Sequence, residues 1–236
     1  MPATDQRHAV LLACMPKSGS TYLRRIFTEL PGFTAASLIP GFGRREQELC
    51  HERLVERTAQ PGSFVAQLHI RYSEVTAGYI AEFGLKPVVL VRNIFDVTVS
   101  LVDFMRVAPM NPVVVIPRDF AGWDDEQAAT FITSMYLPWY FNFFLTWQSC
   151  AEKTLVTYEQ LVADPAGTVT GVCDSLGLGV DAGDVARAVA APALAGKTRL
   201  NKGITGRGET LSEECKRRIR TMAGFYGDRD FSAIGL

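Results

Sequence analysis

"ACMPKSGSTYLRRIF", Ala13–Phe27, decides how the rest of the chain is read. A short apolar run, His8–Cys14, leads into Pro16, Lys17, Ser18 and Gly19, and a helical pattern opens at Ser20–Thr21. Backbone N–H groups at a helix N-terminus bind anions, and the helix dipole adds to the attraction. Gly19 lets the backbone approach an anion closely. Lys17 supplies a point charge, and the hydroxyls of Ser18, Ser20 and Thr21 supply donors. The spacing is not that of a nucleotide triphosphatase. The Walker pattern is G-x-x-x-x-G-K-[ST]; here the lysine precedes the glycine, and Cys14 stands where the first glycine belongs. The Mg²⁺-binding arrangement of that motif is therefore missing. The competing reading is an ordinary βα turn with a helix cap.

Outward from this unit, apolar runs rich in Val, Leu and Ile recur at Ser63–His69, Lys86–Val91 and Lys153–Tyr158. They lack strict alternation, as strands covered on both faces do. Amphipathic segments follow them: Thr21–Leu30, Glu46–Thr58, Ser73–Phe83, Phe95–Met105, Val169–Leu176 and Ser212–Phe225. Strands alternating with helices imply an α/β fold, a parallel β-sheet flanked by helices. There is no internal repeat and no low-complexity tract, so residues 1–236 are expected to form a single domain. Gly177–Lys197 is too apolar and Ala-rich for a flexible tether and predicts a short helix.

Bulk properties narrow the function classes. The chain is 47% hydrophobic and 21% charged, as a soluble globular protein is, with a net charge of −1. A dedicated nucleic-acid binder would carry an overall basic field, so any anion site here is local. The cysteines, Cys14, Cys50, Cys150, Cys173 and Cys215, are odd in number and include no CxxC pair. That speaks against a disulfide framework and a zinc site and for reduced thiols in a cytoplasmic protein. The run before Lys17 is too short for a signal peptide, and no stretch reaches the ~18 apolar residues of a membrane span. The aromatic stretch Phe131–Trp147, broken by Pro138, reads as core or pocket wall.

"KPVVLVRNIFDVTVSLVDF" (Lys86–Phe104) repeats the pattern of strand, polar turn and helix. Arg92 stands at the strand's end and Ser100 two helical turns on. Arginine clamps phosphate bidentately, and ligands of open α/β sheets bind at the carboxyl ends of strands. Lys17 and Arg92 on neighbouring strand ends could hold two phosphate groups of one nucleotide. The plainer role for Arg92 is a salt bridge with Asp96. Late in the chain, Lys197–Glu214 is a glycine-rich basic segment, either a solvated loop or a flap over a phosphate.

These residues resemble the sulfotransferases that use 3′-phosphoadenosine-5′-phosphosulfate (PAPS). The family's 5′-phosphosulfate loop, P-K-S-G-[ST]-[ST]-[WY]-L, is similar to "PKSGSTYL" (Pro16–Leu23), and its 3′-phosphate motif, R-[ND]-P-x-D-x-x-x-S, to "RNIFDVTVS" (Arg92–Ser100). "VTYEQLVADP" (Val156–Pro165) matches the family's Y-E-D-L…D-P, and "NKG" (Asn201–Gly203) its R-K-G segment with asparagine in place of arginine. The resemblance spans Pro16 to about Gly208. It implies a P-loop-kinase-like α/β fold, PAPS as cofactor with 3′,5′-bisphosphoadenosine (PAP) as product, and no metal. It implies a cofactor site made of Lys17, Ser18, Gly19, Ser20, Thr21, Tyr22, Arg92, Ser100, Tyr158, Asn201, Lys202 and Gly203.

Sulfuryl transfer from such a donor needs positive donors on the moving group and a general base for the acceptor hydroxyl, a task suited to histidine near neutral pH. His8 begins the first strand, on the far edge from the loop, and His51 lies in a polar helix. His69 ends "SFVAQLH", on the edge that carries Lys17 and Arg92, and occupies the place of the family's K-T-H-L-P base. The resemblance thus implies His69 and Lys17 as catalytic residues. Gln67 replaces the family's lysine, and Arg71 could substitute for it. The acceptor is left open between a small lipophilic molecule, which the aromatic stretch Arg106–Gln148 would suit, and a carbohydrate, which Gly41–Arg53 would suit. A P-loop kinase-like protein and a catalytically decayed PAP-binding protein are the alternatives. No nucleic-acid or membrane partner is expected.

Overall fold

Ala9–Cys14 forms the central strand, β1, and all six of its residues are buried. A strand covered on both faces has no solvent side, which is why its sequence is continuously apolar. Successive side chains point to opposite faces: Leu11 and Ala13 join one core layer, Val10, Leu12 and Cys14 the other. The computed structural model describes residues 7–39, 47–107, 114–191 and 204–236. Around β1 lie β2 (Phe33–Ala36), β3 (Ser63–Leu68), β4 (Leu85–Val91) and β5 (Thr154–Thr157). The five strands form one sheet in the order β2-β3-β1-β4-β5, with every neighbouring pair parallel.

The expected α/β architecture is therefore present, with two differences. The short strand β2 had no signal in the sequence: its four residues "FTAA" pair only with β3 at the sheet edge, and two of them are exposed. The stretch Lys153–Tyr158 is a strand only to Thr157. There a capping box, in which the Thr157 side chain accepts from the Gln160 N–H and the Gln160 side chain from the Thr157 N–H, turns the chain into a helix.

The layer on one face is built by α1 (Ser20–Glu29), α7 (Tyr158–Ala163), α8 (Pro165–Ser175) and α9 (Ala182–Ala190). The last is the short helix expected within Gly177–Lys197. The other face is covered by α2 (His51–Thr58), α3 (Glu74–Phe83), α4 (Ile94–Val107), α5 (Asp125–Met135), α6 (Leu137–Gln148) and α10 (Glu213–Gly224). Helix α6 accounts for the aromatic stretch. It buries Tyr140, Phe141, Phe143, Phe144 and Trp147, each aromatic contributing roughly 1.5–3 kcal/mol of burial. Among the described residues, no helix is long and apolar enough to cross a membrane.

Parallel strands bring their carboxyl ends to one edge. Read across the sheet, that edge carries His69 after β3, the Lys17 loop after β1, Arg92 after β4 and Tyr158 at the end of β5. Cys14 is level with Leu90, and Val91 with Thr157. With strands ~4.8 Å apart, these residues stand within a few strand spacings of one another.

Candidate active site

The loop between β1 and α1 is held by its backbone. The Met15 N–H donates to Leu90 O (3.0 Å), and the buried Ser18 hydroxyl turns inward to the Met15 carbonyl (2.6 Å). Lys17 has a φ of 67°, the only non-glycine residue in the left-handed region among those described. That conformation costs roughly 1–2 kcal/mol and is held by a bond from Arg92 Nη1 to the Lys17 carbonyl (3.1 Å). The Lys17 ammonium lies 4.2 Å from the centroid of the Phe104 ring, a cation–π contact.

Gly19, at φ 84°, caps α1 without a side-chain hydrogen bond, and the first turn of α1 has no acidic residue. Helices α3, α5, α7, α8, α9 and α10 are each capped by a side chain. The first N–H groups of α1 have no intrahelical partner, and here no carboxylate or hydroxyl cap competes for them. A Cβ at Gly19 would come within 2.9 Å of the Tyr158 ring. That ring is buried beneath Gly19, and the Arg92 guanidinium covers it at 4.1 Å.

Arg92 is itself buried, at 4% exposure. Besides the Lys17 carbonyl, it reaches Asp96 Oδ2 (3.3 Å) and the Ile204 carbonyl (3.1 Å). Its Nε is buried and has no partner. Asp96, also buried, accepts from the N–H groups of Gly206 (3.0 Å) and Gly208 (2.7 Å). Gly208 packs so closely on Phe95 that a Cβ would clash with it. One ion pair therefore joins the loop after β1, the start of α4 and the segment 204–208. The plainer expectation for Arg92, a bridge to Asp96, is present.

His69 is partly buried, and its backbone N–H donates to Gln47 Oε1 (2.6 Å). Its Nδ1 lies 2.8 Å from the Cys14 carbonyl oxygen. A carbonyl can only accept, so Nδ1 carries the proton and Nε2 of the neutral ring holds the lone pair. Burial pulls the imidazole below its ordinary pKa, against the smaller upward effect of the Cys14 carbonyl. The ring is thus neutral near pH 7 and a proton acceptor at Nε2. Cys14 Sγ donates to Leu68 O (3.3 Å) and lies 3.4 Å from His69 Nδ1. Burial pushes its thiol up to about 12, so it stays protonated.

Gln67, in the place expected to lack a cation, donates through Nε2 to Ser20 Oγ (2.9 Å). Arg71 lies beyond the strand, its carbonyl accepting from Thr76 Oγ1 (3.3 Å). Thr21 is partly buried in the first turn of α1, and Tyr22 packs against the core layer beneath that helix. Ser100 is buried on α4. Asn201, Lys202 and Gly203 lie outside the described residues. His8 is buried at the opposite end of β1, and His51 is exposed, 3.5 Å from Glu82.

Two contacts from helix α6 that sequence reasoning missed brace this edge, one at the loop and one beside His69. Tyr140 of α6 donates its hydroxyl to the Pro16 carbonyl (3.2 Å), and Trp147 donates Nε1 to Ile70 O (2.8 Å), next to His69. Helix α6 therefore crosses the ends of β1 and β3. Only the aromatic density of "LPWYFNFFLTW" hinted at this.

Known proteins agree with this architecture. The mouse sulfotransferase SULT7A1 complexed with PAP is 18% identical, with 97% of this chain and 87% of that one aligned at a TM-score of 0.69. Retinol dehydratase in a complex with retinol and PAP is 14% identical over 96% of this chain and 83% of that one, at 0.58. The sulfotransferase STF9 from Mycobacterium avium is 12% identical over 97% and 78%, at 0.55. At such identities the likeness is one of fold. No curated protein matches the chain by sequence. The family model of the sulfotransferase domain matches residues 7–194, most of the chain and every strand of the sheet, and the chain belongs to the sulfotransferase domain family.

Proposed function

We propose that the chain is a PAPS-dependent sulfotransferase in which His69 is the general base. The observation that carries this reading is the hydrogen bond from His69 Nδ1 to the Cys14 carbonyl. It leaves Nε2 as a proton acceptor on the sheet edge that holds the Lys17 loop. The fit to a doubly phosphorylated nucleotide rests on the uncapped start of α1, the close approach at Gly19 and the unpartnered Arg92 Nε. PAP in the solved neighbours SULT7A1 and retinol dehydratase supports the same ligand.

When bound, PAPS supplies the sulfuryl group and leaves as PAP. His69 Nε2 would take the proton of the acceptor hydroxyl. Lys17 and the N–H groups of Gly19, Ser20 and Thr21 meet the charge that develops on the 5′-phosphate. The Ser18 hydroxyl shapes the loop from within, and Ser20, steadied by Gln67, offers its hydroxyl to the anion. Tyr22 and Tyr158 flank the nucleotide's place, Tyr158 as the floor under Gly19 and Arg92. Arg92 and Ser100 hold the 3′-phosphate together with Asn201, Lys202 and Gly203. The described residues act as one domain, and the acceptor is a hydroxyl of a small molecule or a carbohydrate.

The test is a thermal shift followed by transfer. PAP should stabilise the protein and ATP–Mg²⁺ should not; the reverse result rejects the reading. Labelled PAPS should then pass its sulfuryl group to members of a panel of phenols, alcohols and sugars. PAP binding with no transfer to any of them would instead identify a PAP-binding protein that has lost catalysis.

A further inference from the structure

Lys17 is held at both ends. Its backbone lies in the left-handed region, and its carbonyl accepts from Arg92 Nη1 at 3.1 Å. Its ammonium, at the far end of a flexible four-carbon stem, lies 4.2 Å from the centroid of the Phe104 ring. Phe104 stands on α4, four residues after the buried Ser100 and so on the same face of that helix. It is half-buried and packs against the core. The helix is anchored around it. Arg207 reaches Asp103, and Arg106 donates to Asp125 Oδ1 and to the Trp123 carbonyl, each at 2.8 Å. The ring is thus a fixed platform, and the ammonium rests on it.

We propose that Phe104 is a positioning residue for Lys17, holding its ammonium on the ring face so that it meets the 5′ end of the nucleotide already ordered. This deepens the reading of the chain as a PAPS enzyme and rests on it. A lysine side chain loses rotamer freedom whenever an anion immobilises it. A contact that orders it beforehand removes that loss from binding. The kind of partner decides what else happens. A carboxylate would order the ammonium too, but it would cancel the charge and compete with the incoming phosphate. The face of an aromatic ring attracts a cation through its quadrupole and leaves the full charge in place. The ring occupies one side of the ammonium, and the contact persists when an anion arrives on another. In this role Phe104 acts through Lys17.

The test changes the electrostatics of the ring at nearly constant shape. Phe104 is replaced in the full chain by mono-, di- and trifluorinated phenylalanine, each fluorine withdrawing charge from the ring face. Calorimetric titration uses PAP and adenosine 3′-monophosphate, which lacks the 5′-phosphate. PAP affinity should fall stepwise, about 3–30-fold in all, the worth of a partly desolvated cation–π contact. The 3′-monophosphate affinity should stay the same, which also verifies the fold. Phe104→Tyr, which keeps the ring face, should bind PAP nearly as the wild type does, and Phe104→Leu should resemble the trifluorinated ring. In a Lys17→Met background, fluorination should change nothing. A flat series, PAP binding that tightens with fluorination, equal losses for both ligands, or the same loss without Lys17 would each overturn the proposal. A wild type that does not prefer PAP to the 3′-monophosphate would reject the PAPS reading itself, and the role of Phe104 with it.

Discussion

Asp96→Ala should be among the most damaging single changes in this chain, and the damage should appear in stability before activity is measured. The carboxylate is 2% exposed. It accepts from the Gly206 and Gly208 N–H groups at 3.0 and 2.7 Å and from Arg92 at 3.3 Å. Its removal leaves a buried guanidinium without its counter-charge and two backbone donors without their acceptor. Breaking a buried pair in this way costs about 3–5 kcal/mol. For a chain of this size a kilocalorie shifts the melting point by about 2–4 °C, so the expected drop is about 6–20 °C. The Arg92→Met/Asp96→Ala double variant separates this account from simple loss of packing. With the guanidinium gone, no charge is stranded, and the double variant should be more stable than the sum of the singles by about 1–3 kcal/mol. Urea unfolding followed by circular dichroism measures all three variants. A loss under about 1 kcal/mol in Asp96→Ala, or singles that add within about 0.5 kcal/mol, would refute the reasoning.

Other expectations concern the edge of the sheet. His69→Ala should lower kcat about 10²–10⁴-fold with PAP affinity retained in a titration. Because burial depresses the imidazole pKa, the active neutral form persists below the ordinary histidine value of about 6.5. The acid limb of kcat/KM should therefore fall below that pH, and a limb above it would contradict the burial argument. The stability effect has its own sign: as pH drops below about 6.5 the unfolded chain takes up a proton that the folded ring resists, so His69 destabilises the fold progressively down to its lower folded pKa. Gly19→Ala should cost at least about 1–2 kcal/mol for the left-handed backbone alone. It should also weaken PAP binding, since the Tyr158 ring beneath it is pinned by Arg92; an unchanged melting point and titration would show the contact to be soft. Tyr140→Phe should cost about 1 kcal/mol and loosen nucleotide binding, read by denaturation and titration together.

The elements that could be read from the sequence are those whose signal is local. The runs of β1, β3 and β4 are continuously apolar because both faces of the sheet are covered. Lys17, Gly19, His69 and Arg92 could be placed on one edge because parallel strands leave no other arrangement. Strand β2 was not legible, since "FTAA" at an edge needs no apolar pattern. The start of α7 was written in the sequence as Thr157 and Gln160, a capping-box spacing that the preceding strand signal obscured. What no local pattern carries is contact across distance. Tyr140 reaches Pro16, Tyr158 lies under Gly19, and Asp96 gathers Gly206 and Gly208. Arg92 and Asp96 stand four residues apart and suggest a pair, but nothing in that spacing says that the pair also clasps a segment more than a hundred residues on.

The departure from the family pattern at Gln67 has a consequence for its neighbour His69. Gln67 and His69 lie two residues apart at the end of β3, so they face the same side, and both side chains meet Cys14. A lysine at 67 would place a second positive charge beside the base and push its pKa further down by repulsion. The neutral amide avoids that and uses its N–H groups to hold the Ser20 hydroxyl instead. His69 is oriented in turn by a neutral carbonyl, so no carboxylate stabilises its protonated form through Nδ1. Under the proposed function, the site has one cation fewer at position 67, and His69 is a base less depressed than it would be beside a lysine.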